Sequence, residues 1–276
     1  MLSLESHHIV DLYVWVDGLL PSQLPSNAGG RPAVLRDSEL VTLLVWNAIV
    51  LHQKTMKELH SFAQMYLDRE FPCLPKYSAF VDHCHRVTPR MFSLLQQLLV
   101  IDEPIKFVDS TMLPVCTLKR AEKHRVVQGI AQFGKNHQGW HFGFKLHAAI
   151  TKEGILSGLA FTPASTYDAQ VLPKILGNKT RVAVGDSHYG ASVMRQIIWE
   201  KLGTIIIAPP HYKQKKKIMA LWQYQLLRMR SKIESVFDIL KQHLQLVTSF
   251  PRSPFGYLVH YVRILLGYQI MALCAG

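Results

Sequence analysis

Up to about residue 100 the apolar positions recur at intervals of three and four, and beyond residue 104 they alternate or gather into short blocks. "RDSELVTLLVWNAIVL" (36–51) predicts a helix capped by Asp37 or Ser38. In "KTMKELHSFAQMYLDREF" the residues Met56, Leu59, Phe62, Ala63 and Tyr66 share one helical face. "KYSAFVDHCHRVTPRMFSLLQQLLV" predicts a third helix, broken near Thr88-Pro89 because proline lacks the amide donor. After "DEP" (102–104) five strands are predicted: "IKFVDST" (105–111), "GWHFGFKLHAAIT" (139–151), "ILSGLAFTPAS" (155–165), "RVAVGDSHYG" (181–190) and "TIIIAPP" (204–210). "KEG" turns the second into the third as a hairpin. Helices are predicted at "YDAQVLPKIL", at "ASVMRQIIWEKLG" and from about 219 to 246.

This pattern divides the chain into a helical region, 1–102, and an α/β domain with a C-terminal helix, 103–276. "YLVHYVRILLGYQIMALCAG" ends the chain; His260 and Arg263 leave an uncharged run shorter than the roughly 18 residues of a membrane span, so a buried helix is expected. The N-terminal "MLSLESHHIVDLYVWVDGLL" lacks a basic segment followed by a continuous apolar one, and no signal peptide is expected.

Charge changes the picture. Lys and Arg number 31 against 19 Asp and Glu, a net +12, with 14 His besides. Such a surface attracts polyanions, nucleic acid above all, although ribosomal and membrane-surface proteins share the trait. Lys54, Lys57, Lys76, Arg86 and Arg90 sit on the short helices, which read either as a helix-turn-helix DNA reader or as a helical cap with solvated cations. Lys213, Lys215, Lys216 and Lys217 form a loop suited to phosphate contact or simply to water. The four cysteines form no CxxC pair, which fits a reducing cytoplasm. Cys73, His83, Cys84 and His85 do not make a zinc site, because three of them are consecutive and cannot converge on one tetrahedral ion.

Three carboxylates stand out. Asp109 and Asp186 each follow an apolar strand and precede a serine, which places them where a sheet ends and a solvated loop begins. Glu234 falls on the helical face of Leu226, Leu227, Arg230, Ile233, Phe237, Leu240 and Lys241, and is expected to point inward. Arg230 and Lys241 would suffice to neutralise one such acid structurally. Three converging acids repel one another unless a divalent metal holds them.

The strand and helix order matches the ribonuclease-H-like fold, a mixed five-stranded sheet flanked by helices and here preceded by an all-α region. Through "VDSTMLPVC", "HFGFKLHAAIT", "FTPASTYD", "VGDSHYG" and "RSKIESVFDILK", the chain resembles bacterial insertion-sequence transposases with an Asp-Asp-Glu catalytic domain, most of all the 982 group of insertion sequences. The resemblance implies that Asp109, Asp186 and Glu234 hold two Mg²⁺ ions, with Mn²⁺ able to substitute, for phosphodiester hydrolysis and transfer of the freed 3′-OH. Arg230, Glu234 and Lys241 match the spacing of a Tyr-x2-Arg-x3-Glu-x6-Lys signature, with Leu227 at the tyrosine position. Arg230 and Lys241 are then expected on DNA near the cut. His188 and Tyr189 read as contacts to the scissile strand or as a cap of the following turn, and Trp222 and Tyr224 as base-stacking or packing residues. The implied partners are double-stranded DNA, both terminal inverted repeats and target, and a second copy of the chain; no membrane is expected. A metal-dependent nuclease of the same fold and an inactive transposase-derived DNA-binding protein are the alternatives.

Overall fold

The computed structural model describes residues 9–20, 34–210 and 219–275. The chain begins with α1 (Ile9–Leu19), α2 (Asp37–Trp46) continued by a π turn at Asn47–Leu51, α3 (Met56–Tyr66) and α4 (Tyr77–Leu98). There follow β1 (Ile105–Pro114), α5 (Leu118–Ala121), β2 (Gln132–Asn136), β3 (Gly139–Ile150), β4 (Leu156–Pro163), α6 (Asp168–Leu176) and β5 (Val182–Val184). After a 3-10 turn at Ser187–Gly190 come α7 (Ser192–Leu202), β6 (Ile205–Ile207), α8 (Leu221–Met229), α9 (Ser231–Asp238) with a π turn at Ile239–His243, and α10 (Pro254–Ala275). Contacts group these into two compact units, residues 1–98 with 244–246 and 250–276, and residues 99–243 with 247–249. The C-terminal helix α10, placed with the α/β domain from the sequence, packs instead against α2 and α4.

In the helical unit, α4 runs unbroken through Pro89. The Thr88 hydroxyl donates to the Cys84 carbonyl at 2.7 Å, and Ser93 to that of Pro89 at 3.0 Å, so side chains supplement the backbone ladder around the proline. Asp37 is not the cap of α2. Arg36 holds that position, its N–H donating to Glu39 at 2.7 Å, while the Asp37 carboxylate lies 2.7 Å from His83 Nε2 and also accepts from Arg90. On α3 a reciprocal pair, Glu58 N–H to the Thr55 hydroxyl and Thr55 N–H to the Glu58 carboxylate, closes the first turn. The segment 67–76 between α3 and α4 is longer than the turn of a helix-turn-helix. Lys54, Lys57, Lys76 and Arg86 are exposed; Arg90 is engaged by Asp37.

By length and composition α10 could cross a membrane, but 67% of its most apolar window is buried within the protein. Burial pushes His260 down to about 3, so the neutral ring donates from Nε2 to the Gln245 and Leu246 carbonyls and accepts at Nδ1 from Arg263 Nη2 at 3.3 Å. A Cβ at Gly267 would come within 2.9 Å of Ile49 Cγ2, which shows how closely α10 approaches the π turn.

The α/β unit holds a mixed sheet in the order β2-β3-β1-β5-β6, with β4 also paired to β3. β1 is antiparallel to β3 and parallel to β5, and β5 is parallel to β6. Among the described residues six strands stand where five were expected. The extra one, β2, carries little apolar signal because it is mostly exposed. The Lys152–Gly154 hairpin turn is present, with Gly154 at φ +96°. Val108, Ala149, Val171, Leu172, Ala183, Tyr189, Ile198 and Ile206 make the core between the sheet, α6 and α7. Here α6 lies against β4 so closely that a Cβ at Gly158 would stand 2.1 Å from the Ile175 carbonyl oxygen.

Candidate active site

The sheet register sets two acids abreast. Phe107 of β1 pairs with Val184, the last residue of β5, and two residues further along the chain from each stand Asp109, still in β1, and Asp186, just past the end of β5. Contrary to the sequence expectation β1 does not end at Asp109; it runs on to Pro114, paired to β3, with Asp109 opposite Ala148. What stops is its parallel neighbour β5, at Val184, and that leaves the Asp109 edge open. The Asp109 side chain is 19% exposed, and one oxygen accepts from the Ser110 N–H at 2.8 Å. Loss of water pushes its carboxyl up to about 6; the Ser110 amide opposes this, the Asp186 charge adds to it, and Arg230 opposes it again.

Asp186 opens the 3-10 turn, accepting from the His188 N–H at 2.9 Å, with His188 Nδ1 4.0 Å from its other oxygen. Beneath that turn lies Tyr189, only 1% exposed and with its hydroxyl unpartnered among the described residues. Of the two readings of Tyr189, strand contact or support of the turn, its burial favours the second. Gly185 accommodates the side chain, since a Cβ there would come within 2.7 Å of the Tyr189 ring. His188 is exposed.

Glu234 does not point inward as expected; its side chain is 53% exposed. Ile233, Val236 and Phe237 take the buried face of α9, which leaves Glu234 at the rim. The long helix expected over 219–246 is interrupted at Arg230, between α8 and α9, and the Arg230 guanidinium bridges two acids: Nη1 lies 3.3 Å from Asp109 Oδ2 and Nη2 donates to Glu234 Oε1. Asp109, Arg230 and Glu234 thus form one run of contacts, and the Asp186 charge is felt at its Asp109 end. Lys241 is not in it: it lies on the π turn at Ile239–His243, and its charge adds to burial in lowering His141 below the usual histidine range. Its own ammonium is partly desolvated, which lowers it below the usual lysine range. Trp222 and Tyr224 are exposed on α8, which buries none of its side chains. Lys213, Lys215, Lys216 and Lys217 lie outside the described residues.

A second polar cluster borders the acids and was not singled out from the sequence. Lys145, 8% exposed on β3, donates to Asp168 at 2.8 Å and to the Thr166 carbonyl at 2.9 Å. His147, fully buried, reaches the Thr162 hydroxyl at 2.9 Å and lies 3.6 Å from Asp168. The Asp168 charge is felt at Asp109 and pushes it further up. Only the acid ahead of a helix in "STYD" marks it in the sequence, and that is an ordinary helix start.

Among the described residues no three His, Cys, Asp or Glu side chains stand as a ready ligand set. The donor chemistry nevertheless suits a hard divalent cation. All three acids offer oxygen, two lie abreast with like charge, and Arg230 already sits as a cation between Asp109 and Glu234. A family model described as a transposase DDE domain matches residues 101–254, the stretch that contains all three acids. Such domains generally use divalent metals and act in DNA recombination. With more than half of its length matched and the ribonuclease-H-like sheet in place, the chain belongs to the DDE-domain transposase family.

Proposed function

We propose that this transposase mobilises an insertion sequence, most like those of the 982 group, by cutting the element's terminal inverted repeats and transferring the freed 3′-OH ends into target DNA. The observation that supports this reading best is the pair Asp109 and Asp186 at the open edge of β1 and β5, with Asp109 held protonatable by burial and like charge. Asp109, Asp186 and Glu234 hold two Mg²⁺ ions in this reading, Mn²⁺ substituting. When bound, the metal lowers the pKa of the attacking water and stabilises the leaving 3′ oxygen. Asp109 and Asp186 are set by the sheet. Glu234 would join them from α9 once Arg230 lets go of it, and the released guanidinium is then free for a DNA phosphate. His188, on the rim beside Asp186, and Lys241 serve as further strand contacts, as do Lys213, Lys215, Lys216 and Lys217; buried Tyr189 does not. The exposed cations of the helical region, 1–102, make it the second DNA surface, and two copies of the chain pair the two ends. The protein works in the cytoplasm, on the nucleoid when bound to DNA.

The test is cleavage and joining of a labelled duplex bearing the element's own ends, in Mg²⁺, Mn²⁺ or EDTA, with Glu234→Gln alongside. Metal-dependent 3′-OH ends that join a second DNA, all lost in the variant, are expected. Nicking without joining would make the protein a nuclease of the same fold, and binding unaffected by metal or by the variant would make it a DNA-binding relative without catalysis.

A further inference from the structure

Beside Asp186 the surface opens into a groove of about 500 Å³, lined by Tyr167, His188, Gly190, Ser192, Arg195 and Pro209 among others. That is ample space for one nucleotide. Among the described residues the lining carries one permanent cation, Arg195, and no carboxylate, with Asp186 standing just outside it. Arg195 lies in the first turn of α7, where the peptide dipoles are already positive, yet that turn carries no acid and its N-cap, Ala191, supplies no capping side chain. The amides of Ser192, Val193 and Met194 are the ones such a helix start leaves without intrahelical partners, whereas the Arg195 N–H is bonded to the Ala191 carbonyl at 3.0 Å. Arg195 itself has no ion-pair partner among the described residues. A cation beside a positive helix end is unfavourable unless an anion joins them.

Two further features narrow the anion. Tyr167 is 54% exposed, with its hydroxyl 3.5 Å from the His188 carbonyl oxygen, so an aromatic side chain stands in the same lining as Arg195. Gly190, also in the lining, lies close to Arg195: a Cβ there would stand 3.5 Å from Arg195 Nη2 and 3.3 Å from Ala208 Cβ. A cation, open amides and an aromatic face together fit a phosphate with its base attached better than a bare anion. The position fits as well, because His188, on the groove wall, is two residues beyond Asp186.

We propose that this groove seats one nucleotide of the DNA strand next to the cut, its phosphate on Arg195 and the first amides of α7, its base stacked on Tyr167. The proposal rests on the transposase reading for the identity of the strand. The test uses the full chain in EDTA and a short fluorescein-labelled oligothymidylate, followed by anisotropy across a salt series. Arg195→Gln is expected to weaken binding about tenfold and to reduce the slope of log K against log salt by about 0.7. Tyr167→Ala is expected to weaken binding by roughly 5- to 100-fold with the slope unchanged. A 2-aminopurine placed in the strand is quenched by the wild type and by Tyr167→Phe, and the quenching is lost in Tyr167→Ala.

Affinity and slope unchanged in both variants would overturn the proposal. So would displacement of the strand by millimolar inorganic phosphate, which would identify a small-anion site. Circular dichroism of each variant confirms its fold, and both side chains are exposed enough for the substitutions to be tolerated. Asp109→Asn separates the two readings, since it should keep oligothymidylate binding and lose metal-dependent cleavage. Groove variants that behave as expected, in a wild-type protein that never cleaves, would leave the groove standing and remove the transposase reading.

Discussion

Asp109→Asn should make the metal-free protein more stable while abolishing its chemistry. In the folded protein the Asp109 carboxyl titrates at about 6 rather than at 3.8, because it is largely withdrawn from water and faces Asp186. A rise of about two pH units, at about 1.4 kcal/mol each, means that holding this group ionised weakens the fold by about 3 kcal/mol. The direction follows from proton counts. Between about pH 4 and pH 6 the native state keeps a proton that the unfolded chain has lost, so this contribution falls as pH rises and is fully unfavourable above about pH 7. Asparagine keeps the shape and removes the charge. It also gives up the 3.3 Å contact with Arg230, which offsets up to about 1 kcal/mol. Urea unfolding in EDTA at about pH 8 should therefore show the variant more stable by about 2 kcal/mol, with the gap closing toward about pH 4. Adding Mg²⁺ should reverse the order, because a cation held at about 100 times its dissociation constant stabilises the wild type by about 2.7 kcal/mol and has lost a ligand in the variant. A variant less stable than wild type at about pH 8 in EDTA, or a gap that does not depend on pH, would show that Asp109 is a structural ion-pair partner of Arg230.

Arg230→Ala removes the cation that stands between Asp109 and Glu234, so calorimetric titration should show Mn²⁺ binding about fivefold tighter; weaker binding would mean that Arg230 positions the acids instead of competing for them. Gly158→Ala must push α6 off β4, with an expected loss of about 2 kcal/mol in urea unfolding, and a neutral result would show that Ile175 yields without cost. Asp37→Ala strips His83 and Arg90 of their shared carboxylate and should lower stability by about 3 kcal/mol, measured by urea unfolding, whereas a change below about 1 kcal/mol would rank the pair with exposed ion pairs.

β1, β5 and β6 were legible because "KFV", "VAV" and "III" are rich in β-branched and aromatic residues and are largely buried. β2 was not, since an exposed strand needs no apolar alternation. Pro89 reads as a break by local rules and is carried within α4, a helix long enough to tolerate one missing bond. Asp37 reads as a cap because caps are often aspartates, and only the fold brings His83 and Arg90 to it. For the site, the residue types and spacing of Asp109, Asp186, Arg230 and Glu234 sufficed to nominate them. Helical periodicity then misplaced Glu234, because one face of α9 is narrow and its edge falls between Ile233 and Glu234. Tyr189 reads two ways for a related reason: a turn residue looks exposed in sequence, and nothing local reveals that it folds under Gly185. The Lys145, His147 and Asp168 cluster is made by strand register, which a single sequence does not disclose.

The arrangement of α10 bears on how the protein comes off the ribosome. The helical unit takes α2 and α4 from the front of the chain and α10 from residues 254–275, with the whole α/β unit encoded between them. During synthesis the α/β unit can complete its sheet first, while the sides of α2 and α4 that α10 packs against, with Ala48 and Ile49 of the π turn, stay uncovered until α10 emerges. A nascent chain stalled before that point would own its acids but not a finished helical unit. The second proposed DNA surface therefore rests on a unit that folds to completion only after residues 254–275 have been made.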